Sequence, residues 1–148
     1  MKTKKWLKSG AKLLLTAAVT TLLLMLLNIG MDGMYLLGIP EIQQVEKVLI
    51  SDSRYPGLTK EVSDEESIEL AVKLSGFLRY QPFAPAEEPK EPRITITYIT
   101  KDGGSVSLSA DSTSVLWQGN VHALKEEGMF QTLCEGIFFF PEGAQAAS

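Results

Sequence analysis

Residues 13–30 form a continuous apolar segment, and this feature limits what the chain can fold into more than any other. The segment carries no charged residue, and as a helix it is about 27 Å long. The hydrocarbon core of a bilayer is roughly 30 Å thick, so the segment is just long enough to cross it. We therefore predict a transmembrane helix or an uncleaved signal anchor at residues 13–30. The polar residues within it are Thr16, Thr20, Thr21 and Asn28.

The charges that flank this segment predict its orientation. Residues 1–12 contain five lysines and no acidic residue, whereas Asp32 and Glu41 follow the segment. Because basic flanks stay on the cytoplasmic side, residues 1–12 are predicted to be cytoplasmic and the chain beyond about residue 31 to lie outside. Trp6 stands among the lysines, where its ring suits the headgroup layer. The prediction is a single-pass protein of the cell membrane, with the lipid bilayer as the partner of residues 13–30.

A cleaved signal peptide is the main alternative to a retained anchor. Signal peptides share the basic start, but their apolar core spans only about 7–15 residues and ends at a small-x-small cleavage site. Residues 28–33 offer no such pair of small residues. The sequence therefore favours a retained membrane anchor. The alternatives are a signal peptide that is cleaved so that the domain is secreted, and a buried helix of a soluble protein.

The chain beyond residue 12 is acidic. Five of the 14 Lys and Arg residues precede residue 13, which leaves nine basic against 18 acidic residues in the remainder, a formal charge of −9. An acidic domain repels the phosphate backbone, so nucleic acid is not an expected partner.

Helix-breaking residues and one capping signal divide the first part of the exported domain. Residues 31–41 contain two glycines and Pro40, which predicts a connector between helix and domain. Residues 45–51 are rich in β-branched side chains and predict a strand. Ser63 and Glu66 have the spacing of a capping box, and apolar residues then recur every three or four positions, which predicts a helix up to about Tyr80.

Alternating apolar and polar residues predict two hairpins in the second part. The first joins 93–100 to 105–110 across the turn at 101–104, and a weaker one joins 114–118 to 121–124. A short helix is predicted from Phe130 to Ile137 by its apolar spacing. The predicted fold class is therefore α+β: after the transmembrane helix, a small antiparallel sheet of about five strands packs against two helices in the order β-α-β-β-β-β-α. The domain is predicted to span 42–140, with a flexible tail at 141–148.

This layout resembles small uncharacterised single-pass extracytoplasmic domains of Gram-positive, particularly clostridial, bacteria. The resemblance covers residues 39–140 and consists of arrangement alone. It implies an exported single-pass domain and assigns no functional residue. The matching parts are Ile39 with Pro40, the strand VEKVLISD, the helix SDEESIELAVKLSGFL, the hairpin RITITYITKDGGSVSL and a last helix.

Residues for catalysis or metal binding are few. His122 is the only histidine and Cys134 the only cysteine, so a hydrolase would have to use this pair or some of the abundant carboxylates. One His and one Cys do not make a zinc site, and no EF-hand or phosphate-binding loop motif is present. His122 is expected on the polar side of a strand, and Cys134 on the apolar face of the last helix. We therefore predict no catalytic residue, no metal and no cofactor.

Aromatic residues suggest a partner surface. Tyr98, Trp117 and His122 are the candidates, because aromatic side chains dominate protein interfaces, although in a domain of this size core packing is the more common role of Tyr98 and Trp117. The predicted function is a non-catalytic, membrane-anchored binding or accessory module for an unknown envelope protein or peptide. The alternatives are a secreted factor released by signal cleavage, or a small hydrolase that uses carboxylates or His122 with Cys134.

Overall fold

The computed structural model describes residues 2–139 and is an α+β fold that follows a long N-terminal helix. The predicted tail at 141–148 lies outside the described residues. The helices are α1 (Lys2–Asp32), α2 (Glu65–Gly76) and α3 (Met129–Cys134), which continues as a π-helical turn at Glu135–Phe139. The strands are β1 (Met34–Tyr35), β2 (Val45–Asp52), β3 (Thr59–Val62), β4 (Arg79–Gln81), β5 (Ile94–Thr100), β6 (Ser105–Ala110), β7 (Ser114–Trp117) and β8 (Asn120–Leu124), and a short 3-10 helix occupies Ile42–Gln44.

All eight strands join one antiparallel sheet in the order β1-β4-β8-β7-β6-β5-β2-β3. The α+β class and both predicted hairpins are present, but the expected number of about five strands is wrong. The three additional strands, β1, β3 and β4, have two, four and three residues. Segments this short are held by their neighbours and show no alternation of their own.

The helix α2 differs from its prediction at both ends. Its N-cap is Asp64 rather than Ser63, and the Asp64 carboxylate accepts a hydrogen bond of 2.8 Å from the backbone N–H of Ser67. The helix ends at Gly76 with Phe77 as its C-cap, and Arg79 and Tyr80, which were expected to continue it, belong to β4. Apolar spacing extended the prediction because Phe77 and Leu78 continue the apolar pattern of the helix beyond its end.

The core lies between one face of the sheet and the two helices α2 and α3. Directly paired residues share a face, so the rows Ile50–Ile96–Leu108–Trp117 and Val48–Tyr98 point to the same side, and all of them are buried. The helices contribute Ile68, Ala71, Leu74, Phe130, Cys134 and Phe138 to this core.

The opposite face of the sheet carries polar side chains on β5 and β6. Hydroxyl pairs cross from β5 to β6, with Thr95 and Ser109 at 2.8 Å and Thr97 and Ser107 at 2.9 Å. Ser107 is exposed, and Thr95, Thr97 and Ser109 are half-buried. We call these four residues the hydroxyl face.

Candidate functional site

The helix α1 meets the sheet at its C-terminal end. Thr3–Asp32 is long and apolar enough to cross a membrane or to act as a signal sequence, and none of its most apolar window is buried. Within its apolar segment, the hydroxyls of Thr16, Thr20 and Thr21 donate to backbone carbonyls four residues earlier, at 2.8–2.9 Å. These side chains therefore need no water, which suits a helix surrounded by hydrocarbon.

The helix passes into the sheet through a single residue, Gly33. Its φ of +77° is in the left-handed region, and a Cβ added there would lie 2.8 Å from the carbonyl oxygen of Tyr80. On its far side β1 pairs with β4, with Met34 opposite Tyr80 and Tyr35 opposite Arg79. The junction thus requires glycine both for its backbone conformation and for the close approach of β4.

Side-chain contacts reinforce this junction. The Tyr80 hydroxyl donates to the sulfur of Met34 at 3.9 Å, and the Tyr80 ring lies 4.2 Å from the ring of His122, centre to centre. The Lys125 ammonium donates to the carbonyl oxygen of Met31 in the last turn of α1. A cation there complements the negative end of the helix dipole. The end of α1 is therefore bound to both β4 and the segment after β8.

The sequence did not indicate that residues 31–41 would be so closely packed. Besides the strand pairing at Met34 and Tyr35, Leu36 and Pro40 are buried. The Leu37 carbonyl accepts a 2.8 Å hydrogen bond from the Trp117 indole. The one available signal was Gly33, which lies three residues after the apolar segment and two before Tyr35, a residue type enriched in strands.

The residues predicted as a partner surface are mostly internal. Tyr98 is fully buried, and its hydroxyl donates to the carbonyl of Ala71 at 2.8 Å and bonds to the Ser75 hydroxyl. Trp117 is also buried, with its indole N–H bonded to the connector. Both hold other elements onto the sheet and are not accessible to a partner.

His122 lies in a strand, as expected, but not on its polar side. It pairs with Val115, which is fully buried, so the two share the helix-covered face of the sheet. Its neighbour two positions along, Leu124, is buried on the same face. His122 is half-buried at the margin of this core, where the Tyr80 ring packs against it at a tilt of 35°.

The sheet keeps His122 and Cys134 apart. Cys134 is buried near Asp52, whose charge affects the pKa of the thiol. Asp52 and His122 are the two ends of a row of paired residues across the sheet, with Ile94, Ala110 and Val115 between them. Four strand spacings separate the ends of this row, about 19 Å. Burial raises the pKa of the Cys134 thiol, and the charges of Asp52 and Glu135 raise it further. These two residues do not form a nucleophile–base pair.

Two carboxylates among the described residues are buried, those of Asp52 and Asp111, and both have structural roles. Burial raises the pKa of Asp52, but the Arg54 side chain and backbone N–H outweigh this and hold it below its ordinary value. Arg54 also pairs with Glu135, which ties the end of β2 to the π-helical turn. At Asp111, burial is likewise outweighed by hydrogen bonds from the backbone N–H groups of residues 90, 113 and 114.

Among residues 2–139, no group of three or more His, Cys, Asp or Glu side chains is arranged to hold a metal ion. Of the abundant carboxylates, Asp64 caps α2, and Glu65 and Glu66 lie in its first turn. Glu126 pairs with Arg79. The candidate functional site is therefore the junction of α1 with the sheet, together with the accessible hydroxyl face. Comparison of the chain with known protein families, curated proteins and solved structures finds no match.

Proposed function

We propose that the chain is a non-catalytic module, anchored in the membrane by α1, that presents its sheet outside the cytoplasm to an envelope protein or peptide. The observation that carries the proposal is an uncovered apolar helix that continues into the edge of a folded sheet through one residue. Lipid would cover such a helix, and a junction of one residue supports a sheet held directly above the membrane.

The geometry of residues 28–33 supports retention of the anchor. The helix is continuous through this region to Asp32, and the Gly33 N–H still bonds to the Ile29 carbonyl at 2.9 Å. A signal peptidase needs an accessible small-x-small site after the apolar core, and here that region is helical. Cleavage there would also separate α1 from β1.

The charge distribution supports the orientation. Five lysines precede the apolar segment, while the domain beyond it is acidic. By the positive-inside rule the N-terminus is cytoplasmic and the sheet is outside.

The hydroxyl face is the surface we assign to the partner. Its four side chains are uncharged, and their hydroxyls both donate and accept hydrogen bonds, which suits the backbone and polar side chains of a protein or peptide. The helix-covered face is filled by the core and offers no comparable surface.

The anchor is tested with the full chain carrying a C-terminal tag in a Gram-positive host. We expect an intact chain in the membrane fraction, with the tag digested by protease added outside the cells. A tagged product that is found in the culture medium and is shorter by about 30 residues would instead identify a secreted factor.

Partner binding is tested by photo-crosslinking in the same cells. A photoreactive residue replaces Ser107 on the hydroxyl face, and the matched control replaces Glu66, an exposed residue in the first turn of α2. We expect a discrete adduct from position 107 that position 66 does not form. Equal adducts from both positions, or none from position 107, would contradict this assignment.

A further inference from the structure

The most exposed apolar side chains outside α1 gather at one edge of the sheet. Five large apolar residues of the described domain are more than half exposed: Tyr35 at 54%, Leu37 at 70%, Leu58 at 52%, Phe77 at 64% and Phe83 at 70%. Four of them lie in β1 or within two residues of β1 or β4, and only Leu58 does not. Leu58 lies in the turn between β2 and β3, at the other end of the strand order.

Exposure of this kind at one place signals a contact surface. Scattered apolar residues are normal on a protein surface, but a concentration of them marks an interaction site. We call Tyr35, Leu37, Phe77 and Phe83 the edge cluster. Because it contains two phenylalanines and a tyrosine, its apolar area is large for four residues.

The position of α1 identifies what meets the edge cluster. Tyr35 lies five residues beyond Gly30, the end of the apolar segment, and two of these residues are still helical. Tyr35 therefore stays within about 13 Å of the hydrocarbon boundary. The headgroup region adds roughly 5–8 Å on each side of the bilayer core, and aromatic rings are the side chains most enriched there.

We infer that the edge cluster is seated in the headgroup layer of the same membrane that holds α1. This inference rests on the proposed anchor. In this arrangement β1 and β4 form the edge of the sheet that faces the membrane. The following strands lie progressively farther from the lipid, and β3 is the most distant. Seven strand spacings separate β1 from β3, about 34 Å, which places Leu58 beyond reach of the headgroups.

The test uses the full chain reconstituted in phosphatidylcholine vesicles, with tryptophan as the reporter. Trp6 is first replaced by phenylalanine, and the buried Trp117 is common to all samples. Into this background go Phe77→Trp, Phe83→Trp and, as the matched control, Leu58→Trp. All three positions are more than half exposed in the domain, so their surroundings differ chiefly by membrane proximity.

We expect lipids brominated near the headgroup to quench the added emission of Phe77→Trp and Phe83→Trp, and to leave that of Leu58→Trp unchanged. In unbrominated vesicles the first two emissions are expected at shorter wavelength than the third. Resistance of the same samples to alkaline extraction measures insertion of α1 separately.

The outcomes separate the two proposals. If the chain resists extraction but positions 77 and 83 are no more quenched than position 58, the edge cluster is not in the headgroup layer, and the anchor still stands. Equal quenching at all three positions also overturns the inference, because the whole domain would then lie on the membrane. If alkaline treatment extracts the chain, the anchor and the inference both fail.

Discussion

Replacement of Gly33 by alanine tests the tight junction between α1 and the sheet. Gly33 has a φ of +77°, and its new Cβ would stand 2.8 Å from the Tyr80 carbonyl oxygen, a backbone atom that moves only if β4 moves. The left-handed conformation costs a non-glycine residue about 1–2 kcal/mol. Relief of the close contact adds to this cost.

The strain must be compared with what holds β1 in place. The pairing of β1 with β4 involves only two residues on each strand. At about 0.5–1.5 kcal/mol for each backbone hydrogen bond, a ladder of two is worth roughly 1–3 kcal/mol. The substitution therefore costs about as much as the ladder gives, and we expect β1 to separate from β4 more often, while the hydrogen bonds at Met31 and Leu37 and the rest of the sheet remain.

Limited chymotrypsin digestion of the reconstituted full chain measures this detachment by cleavage after Tyr35. When opening is fast relative to cleavage, the rate follows the open population, and 1.4 kcal/mol corresponds to about tenfold. We expect Gly33→Ala to raise this rate by about tenfold. Gly57→Ala is the matched control, because Gly57 has a φ of +82° but nothing within 4 Å of the added Cβ.

Gly57→Ala introduces the same conformational strain as Gly33→Ala, but it creates no close contact and lies away from the junction of α1 with the sheet. We expect it to lower the free energy of unfolding by about 1 kcal/mol and to leave cleavage after Tyr35 unchanged. If Gly33→Ala is cleaved at the wild-type rate, the close approach of Gly33 to β4 does not hold the junction, and our reasoning is wrong.

Three further predictions concern the interior. Tyr98→Phe removes the buried bonds to Ser75 and to the α2 backbone, and we expect it to lower the free energy of unfolding in detergent by about 1–3 kcal/mol, whereas the exposed Tyr35→Phe should change it by less than about 0.5 kcal/mol. The folded-state pKa of Asp111 lies below its ordinary value of 3.8, so its contribution is complete above that value and is lost as the pH falls through the lower folded pKa. Urea midpoints measured below about pH 4 should therefore fall, and Asp111→Asn should reduce that slope. Burial raises the pKa of Cys134, so iodoacetamide at about pH 8 should modify it only after denaturation, and rapid modification of the folded chain would contradict its buried position.

Strands and helices with a clear pattern in their own sequence could be predicted. Those that form only because they pair with another strand could not. The hairpin of β5 and β6 alternates Ile94, Ile96 and Tyr98 with threonines, and the structure buries these three residues on one face. By contrast, β3 has the sequence TKEV, and only its last residue is buried. Its strand conformation comes from hydrogen bonds to β2, which no local pattern records.

The site shows the same division. The apolar length of α1 was evident from composition, but its junction with β4 depends on residues 46 positions apart, Met34 and Tyr80. His122 was predicted on the wrong face of β8. Side chains alternate between the faces of a strand, so one residue more or less in the preceding turn reverses which of them meet the core. Gln118 and Gly119 form that turn, both with positive φ, and they set the register that places His122 opposite Val115.

The strand order has a consequence for how the domain assembles. The turns that join β5 through β8 are two to four residues long, so each of these strands can pair with the next as soon as both have been synthesised. By contrast, β1 must wait for β4, which in turn pairs with β8, another 44 residues along the chain. Contacts between distant residues carry the larger loop-closure entropy and form late. Because β4 joins the rest of the sheet through β8, the edge next to α1 is completed only after β8 has been synthesised, although its first strand is the first to be made.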